Sequence, residues 1–76
     1  SANDKVNEYI MVRIRTKWGV DLKEVRDKFH IDLLESIPII KEYISNQFLL
    51  LNEDTLTLSG KGKLIADKIT LDMFFE

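Results

Sequence analysis

The chain has no cysteine, a single proline, a single histidine and three glycines among its 76 residues. Without cysteine there is no disulfide frame, no thiolate nucleophile and no cysteine-held metal. With no second histidine either, a metal site would rest on scattered carboxylates, so His30 reads as a polar turn residue. No apolar run approaches the roughly 20 residues of a membrane span, and the opening Ser1-Ala2-Asn3-Asp4-Lys5 is no signal peptide. An excess of one charge is missing too. Eleven basic residues face 13 acidic ones, a net charge of −2, which predicts no strong attraction to nucleic acid or to an anionic membrane. These absences fit a cytoplasmic protein that binds neither.

What is present is a regular apolar pattern, 45% of the chain, enough for one core in one domain. A chain this short buries about 60% of its unfolded surface, so its stability margin is small. Leu49-Leu50-Leu51, Asn52-Glu53-Asp54 and Thr55-Leu56-Thr57-Leu58 read as strand, tight turn and strand. Leu49 and Leu51 alternate on one face, as do Leu56 and Leu58, and the polar trio suits a short reversal.

Upstream, Asn3 or Asp4 caps a helix running from Asp4 to about Lys17, with Val6, Ile10 and Ile14 as its buried stripe and Tyr9 and Met11 widening it. Gly19 is its stop. Asp21 and Glu24 have capping-box spacing for a second helix that buries Leu22, Val25 and Phe29 and ends near His30. Pro38 would break a helix interior but is tolerated in a first turn. A turn over Asp32–Glu35 is therefore expected, then a helix from about Ile37 to Asn46 capped by Ser36, with Ile37, Ile40 and Ile44 inside and Tyr43 at its edge. Ser59 caps a final helix bearing Leu64, Ile65, Ile69 and Met73. Gly60 and Gly62 in its first turn suggest that another backbone comes close. The order, three helices, two strands and a helix, gives a mainly α, winged-helix-like fold (α-α-α-β-β-α).

Ser59-Gly60-Lys61-Gly62-Lys63 has neither the spacing nor the parallel strand–helix context of a phosphate-binding loop. Arg13, Arg15, Lys17 and Trp18 form a basic-aromatic cluster with two readings. It is a helix C-terminus with favourable charges and a Trp covering the core edge, or it is a docking surface, since Trp and Arg are enriched among interface anchors. A DNA-reading role would fall to the helix before the hairpin. Its surroundings carry Asp32, Glu35 and Glu42 against Lys41, and Glu53 and Asp54 stand at the wing tip.

Asn7-Glu8-Tyr9-Ile10-Met11, Arg13-Ile14-Arg15-Thr16 and Trp18-Gly19-Val20-Asp21-Leu22 resemble the start of one particular domain. Leu56-Thr57-Leu58-Ser59-x-x-Gly62-x-x-x-Ala66-Asp67 resembles its end. It is the C-terminal domain of the oxygen-independent coproporphyrinogen III oxidase family, radical S-adenosylmethionine enzymes together with haem-chaperone-like relatives. Ile14 stands where leucine is more usual. The resemblance implies that residues 1–76 are a winged-helix-like C-terminal domain from a larger protein, an oxidoreductase or a haem chaperone. There it would cover the catalytic barrel and help shape the tetrapyrrole site. It implies no catalytic, cofactor-binding or metal-binding residue in this chain. The 4Fe-4S cluster and S-adenosylmethionine would be the parent's. Asn7, Glu8, Arg15 and Trp18 are the expected domain-docking residues. On a helix Glu8 and Arg15, seven apart, point nearly the same way. The alternative is a free-standing winged-helix module for nucleic acid or protein interaction.

Overall fold

The structure, a computed structural model, describes residues 2–75. Helix α1 (Ala2–Arg13) begins before Asn3 and Asp4, which therefore stand in its first turn rather than capping it. Val6, Ile10 and Ile14 are buried as expected. The helix stops at Arg13 and does not run on to Lys17, because Thr16 competes for its end. The Thr16 hydroxyl donates to the Arg13 carbonyl (2.8 Å) and accepts from the Gly19 N–H (3.1 Å). Gly19 then turns at φ 71°. A Cβ there would lie 2.4 Å from the Leu56 carbonyl oxygen.

That turn delivers a strand absent from the sequence reading, β1 (Val20–Asp21). Its two residues are too few for alternation to appear, but Val20 is wholly buried opposite Leu56. Asp21 then caps α2 (Leu22–Phe29), accepting from the Lys23 and Glu24 N–H groups. The reciprocal half of the expected capping box is replaced. The Asp21 N–H donates to the Tyr9 hydroxyl (3.3 Å). His30 closes α2 in the left-handed conformation (φ 59°) usually left to glycine, its N–H bonded to the Arg26 carbonyl.

The segment around Pro38 differs from expectation. Residues Leu33–Ser36 are a one-turn helix, α3, capped by Asp32, and Ser36 ends it instead of capping the next. Ile37 is extended (φ −128°, ψ 82°), as the residue before proline is pushed to be. Helix α4 (Ile39–Ser45) begins after Pro38 without a side-chain cap. Ile37, Ile40 and Tyr43 are buried and Ile44 is half-buried, so Tyr43 lies in the stripe, not at its edge.

Strands β2 (Leu49–Asn52) and β3 (Thr55–Leu58) form the hairpin, paired Leu49 to Leu58 and Asn52 to Thr55. The turn is two residues, and Glu53 takes the positive φ (56°) rather than Asn52 or Asp54. The sheet order is β1-β3-β2, all antiparallel. Leu49, Leu56 and Leu58 enter the core, whereas Leu51, near the wing tip, is 36% exposed.

The last helix is two pieces, α5 (Gly60–Lys63) and α6 (Ala66–Asp72), broken at Leu64 and Ile65. Ser59 caps α5 by accepting from the Gly62 N–H (2.9 Å) while donating to the Gln47 carbonyl (2.6 Å). The close backbone is real at Gly62, where a Cβ would lie 2.0 Å from the Phe48 oxygen; Gly60 faces open space. The break rotates Leu64 out to 85% exposure, contrary to its expected burial, while Ile69 and Met73 stay fully buried. The chain is thus a winged helix with one core, mainly α with a small three-stranded sheet.

Candidate docking surface

The four residues singled out from the sequence do not form one patch. Asn7 is turned to the other end of the chain. Its Nδ2 donates to the Phe75 carbonyl (2.8 Å) and its Oδ1 accepts from the Phe75 N–H (2.7 Å). This clasp docks Phe75 beside the core. Glu8 and Arg15 do not share a face, because α1 ends between them. Glu8 lines an open groove between α1 and α2, and Arg15 borders two other depressions. Trp18 lies outside the core at 66% exposure, with the Lys17 ammonium 5.1 Å from its ring centre.

The α1–α2 groove, about 640 Å³, mixes Lys5, Arg13 and Lys28 with Glu8 and Glu24 over an edge-to-face Tyr9–Phe29 floor. Arg13 serves the fold there. Its Nε donates to the Gly19 carbonyl (3.1 Å) and its guanidinium lies 5.6 Å from the Tyr9 ring centre. Burial and a hydrogen bond to Glu24 push the Tyr9 phenol up to about 12.

A second polar cluster ties α4 to α6. The Tyr43 hydroxyl donates to Asp72 Oδ2 (2.5 Å), and Lys68 reaches the same oxygen (2.9 Å). Tyr43, then Lys68, hold the Asp72 carboxyl below the usual carboxylate range. Burial, then Asp72, push the Tyr43 phenol up, and Asp72 chiefly raises Lys68. The geometry suits a structural clamp between two helices.

An unpartnered and mostly apolar surface lies between α1 and α6. Met11 (48% exposed) and Leu71 (67% exposed) line it with Thr70 and Phe74, in a hollow of about 370 Å³. Arg15 and Asp67 close its rim as an ion pair. Both side chains are largely exposed (51% and 89%), so the pair is worth no more than about 1 kcal/mol. Met11, expected to widen the buried stripe of α1, is exposed instead, and Leu71 belongs to no expected buried stripe. The available signal was that Leu71 is apolar yet lies off the Ile69–Met73 stripe.

Among the described residues no group of three His, Asp or Glu could hold a metal ion, and His30 is exposed. No described helix is long and apolar enough to cross a membrane. No curated protein and no solved structure matches the chain. The family model for the HemN C-terminal domain matches residues 1–65, a span that takes in the whole sheet and every helix except α6. The chain therefore belongs to the HemN C-terminal domain family, that of the coproporphyrinogen oxidases its own motifs resemble.

Proposed function

We propose that this chain is the accessory C-terminal domain of a HemN-like radical S-adenosylmethionine protein, covering the catalytic barrel and helping to shape the tetrapyrrole site. The observation that carries this reading is the exposed α1–α6 hollow. A folded domain with its core complete still presents Met11, Leu71 and Phe74 side by side, rimmed by a charged pair. Apolar centres with polar rims are the anatomy of an interface. Of the four expected docking residues, Arg15 is the charged flank of this face and Asn7 supports it from within by holding Phe75, while Glu8 and Trp18 are exposed on other surfaces. The chain has no cysteine, and its described residues offer no three-ligand group, so they do not fit an iron–sulfur cluster. The cluster and S-adenosylmethionine belong to the parent's catalytic part, and the parent acts as an oxidoreductase or a haem chaperone in the cytoplasm.

A free-standing nucleic-acid module is the weaker reading. Lys41 on α4 is committed to Glu35 (3.0 Å), and Glu42, Glu53 and Asp54 are exposed on the face that would meet phosphates.

Leu71→Asp and Arg15→Ala test the proposal. Both sites are exposed, so each change should alter the 76-residue chain's stability by less than about 1 kcal/mol. In the full-length parent, Leu71→Asp should impair activity or haem binding. An indifferent parent would overturn the docking role.

A further inference from the structure

The cavity formed by the turn after α1, strand β3 and helix α5 is lined by charge of one sign. Arg15, Thr16 and Lys17 come from the turn, Thr57 from β3 and Lys63 from α5. It holds about 200 Å³ and is smaller and more enclosed than the α1–α2 groove or the α1–α6 hollow. Three cationic side chains line it and no acidic one does. The larger α1–α2 groove, by contrast, balances its three cations with Glu8 and Glu24.

The bonding of these groups is unequal. Thr16 is spent on Arg13 and Gly19. Among the described residues the Lys17 ammonium meets only the Trp18 ring. The Lys63 ammonium and the Thr57 hydroxyl have no partner among the described residues. Arg15 is held by Asp67, which lies at the rim of the neighbouring α1–α6 hollow and does not line this cavity. Lys17 and Lys63 line this small volume with no carboxylate beside them, and Arg15 lines it while paired to Asp67 outside it. In a chain whose net charge is −2, composition does not explain the arrangement. An oxyanion placed among them would compensate their charge and accept charge-assisted hydrogen bonds from all three.

We propose that this cavity is a binding site for a small oxyanion of the carboxylate or phosphate class. Lys17 and Lys63 supply its uncompensated charges, and Arg15 joins them on leaving Asp67. Asp67 is then an internal competitor. Its carboxylate occupies Arg15 when the site is empty, and the ligand must displace it. Because the Arg15–Asp67 pair is exposed, displacing it is cheap. The site is complete within this chain and does not depend on the docking reading.

The test is a titration of the 76-residue chain with inorganic phosphate, and separately with acetate, at constant ionic strength, followed residue by residue by NMR. Saturable shifts confined to Arg15–Gly19, Thr57–Leu58 and Lys63 are expected. Lys63→Gln should weaken binding by about fivefold or more, the effect of losing one charge-assisted contact at a partly exposed site. Lys28→Gln, which removes a cation from the α1–α2 groove, should leave it unchanged. Asp67→Asn should tighten binding by freeing Arg15, a result that generic loss of a surface charge contact would not produce for Lys28→Gln. Phosphate binding without acetate binding would assign the phosphate class, and the reverse the carboxylate class. Shifts that do not saturate, that spread equally to Lys5 and Lys28, or that survive Lys63→Gln would overturn the proposal. So would Asp67→Asn leaving affinity unchanged.

Discussion

Tyr43→Phe removes one oxygen and tests whether the α4–α6 clamp stabilises the domain. The ring would keep its edge-on contact with Phe48, 5.9 Å between centres, so packing is preserved. What is lost is a hydroxyl donating to the Asp72 carboxylate at 2.5 Å. A hydrogen bond to a charged group contributes about 1.5–3 kcal/mol. Asp72 keeps Lys68 and its side chain is 30% exposed, so the low end applies, about 1.5 kcal/mol. In a domain of this size each kcal/mol moves Tm by about 4–8 °C, so the variant should melt about 6–12 °C lower near neutral pH. The pH dependence gives a second check. The folded Asp72 carboxyl lies below its ordinary value, so its contribution is complete above the unfolded pKa of about 3.9 and is lost as pH falls through the lower folded value. The folded Tyr43 and Lys68 lie above theirs. Their contribution is complete below about pH 10 and is lost as pH rises through the raised values. The gap between wild type and variant should therefore be flat from about pH 5 to 9 and close at acid pH. Urea unfolding followed by far-UV circular dichroism is the assay, because Trp18 is too exposed to report on folding. A gap below about 0.5 kcal/mol at neutral pH, or one that persists unchanged in strong acid, would refute the reasoning.

Gly62→Ala should cost about 3 kcal/mol, because its Cβ would meet the Phe48 backbone rather than a movable side chain, whereas Gly60→Ala should gain about 0.5 kcal/mol; paired urea melts compare them. Tyr9 should stay un-ionised at pH 10 in the folded state, and Tyr43 should titrate above an ordinary tyrosine. Ultraviolet titration should show the Tyr9 tyrosinate appearing well above pH 10, since Tyr9 lies near 12 and the stability it contributes below pH 10 is lost as pH rises towards that value. Asn7→Ala should free Phe75 and cost about 1–2 kcal/mol for two hydrogen bonds, with hydrogen exchange at the Phe75 amide as the direct readout. Duplex DNA should show no salt-sensitive, sub-micromolar binding by fluorescence anisotropy, given the acidic wing tip and the Glu35–Lys41 pair.

What was legible in the sequence was whatever repeats. Val6, Ile10 and Ile14 lie one helical turn apart, and Leu56 and Leu58 alternate, so α1, the hairpin and most of the core could be read directly. Devices used once were not legible. A two-residue strand has no period. A helix stop made by a threonine hydroxyl looks like more helix, and Asn7 finds its partner 68 residues away. The α1–α6 hollow joins the two ends of the chain, so no window of sequence contains it.

The stretch that resembles the family most specifically gains a physical meaning from these contacts. Asn7 clasps Phe75, Tyr9 accepts from the Asp21 N–H, Arg13 and Thr16 bind around Gly19, and Gly19 passes the Leu56 backbone where no Cβ fits. Asn7 ties α1 to the C-terminal end, and the others build one corner, in which the chain leaves α1, enters the sheet and caps α2. A motif that looks like a docking signature is thus largely folding machinery. Glu8, Arg15 and Trp18 are the members of the candidate quartet that these contacts do not use. All three are exposed, and Arg15 stands where the apolar α1–α6 hollow meets the cationic cavity. Spacing alone cannot separate the two groups, because both fall within one helix and its exit. Burial and hydrogen bonding can, and they leave Arg15 as the one member of the motif that borders both hollows.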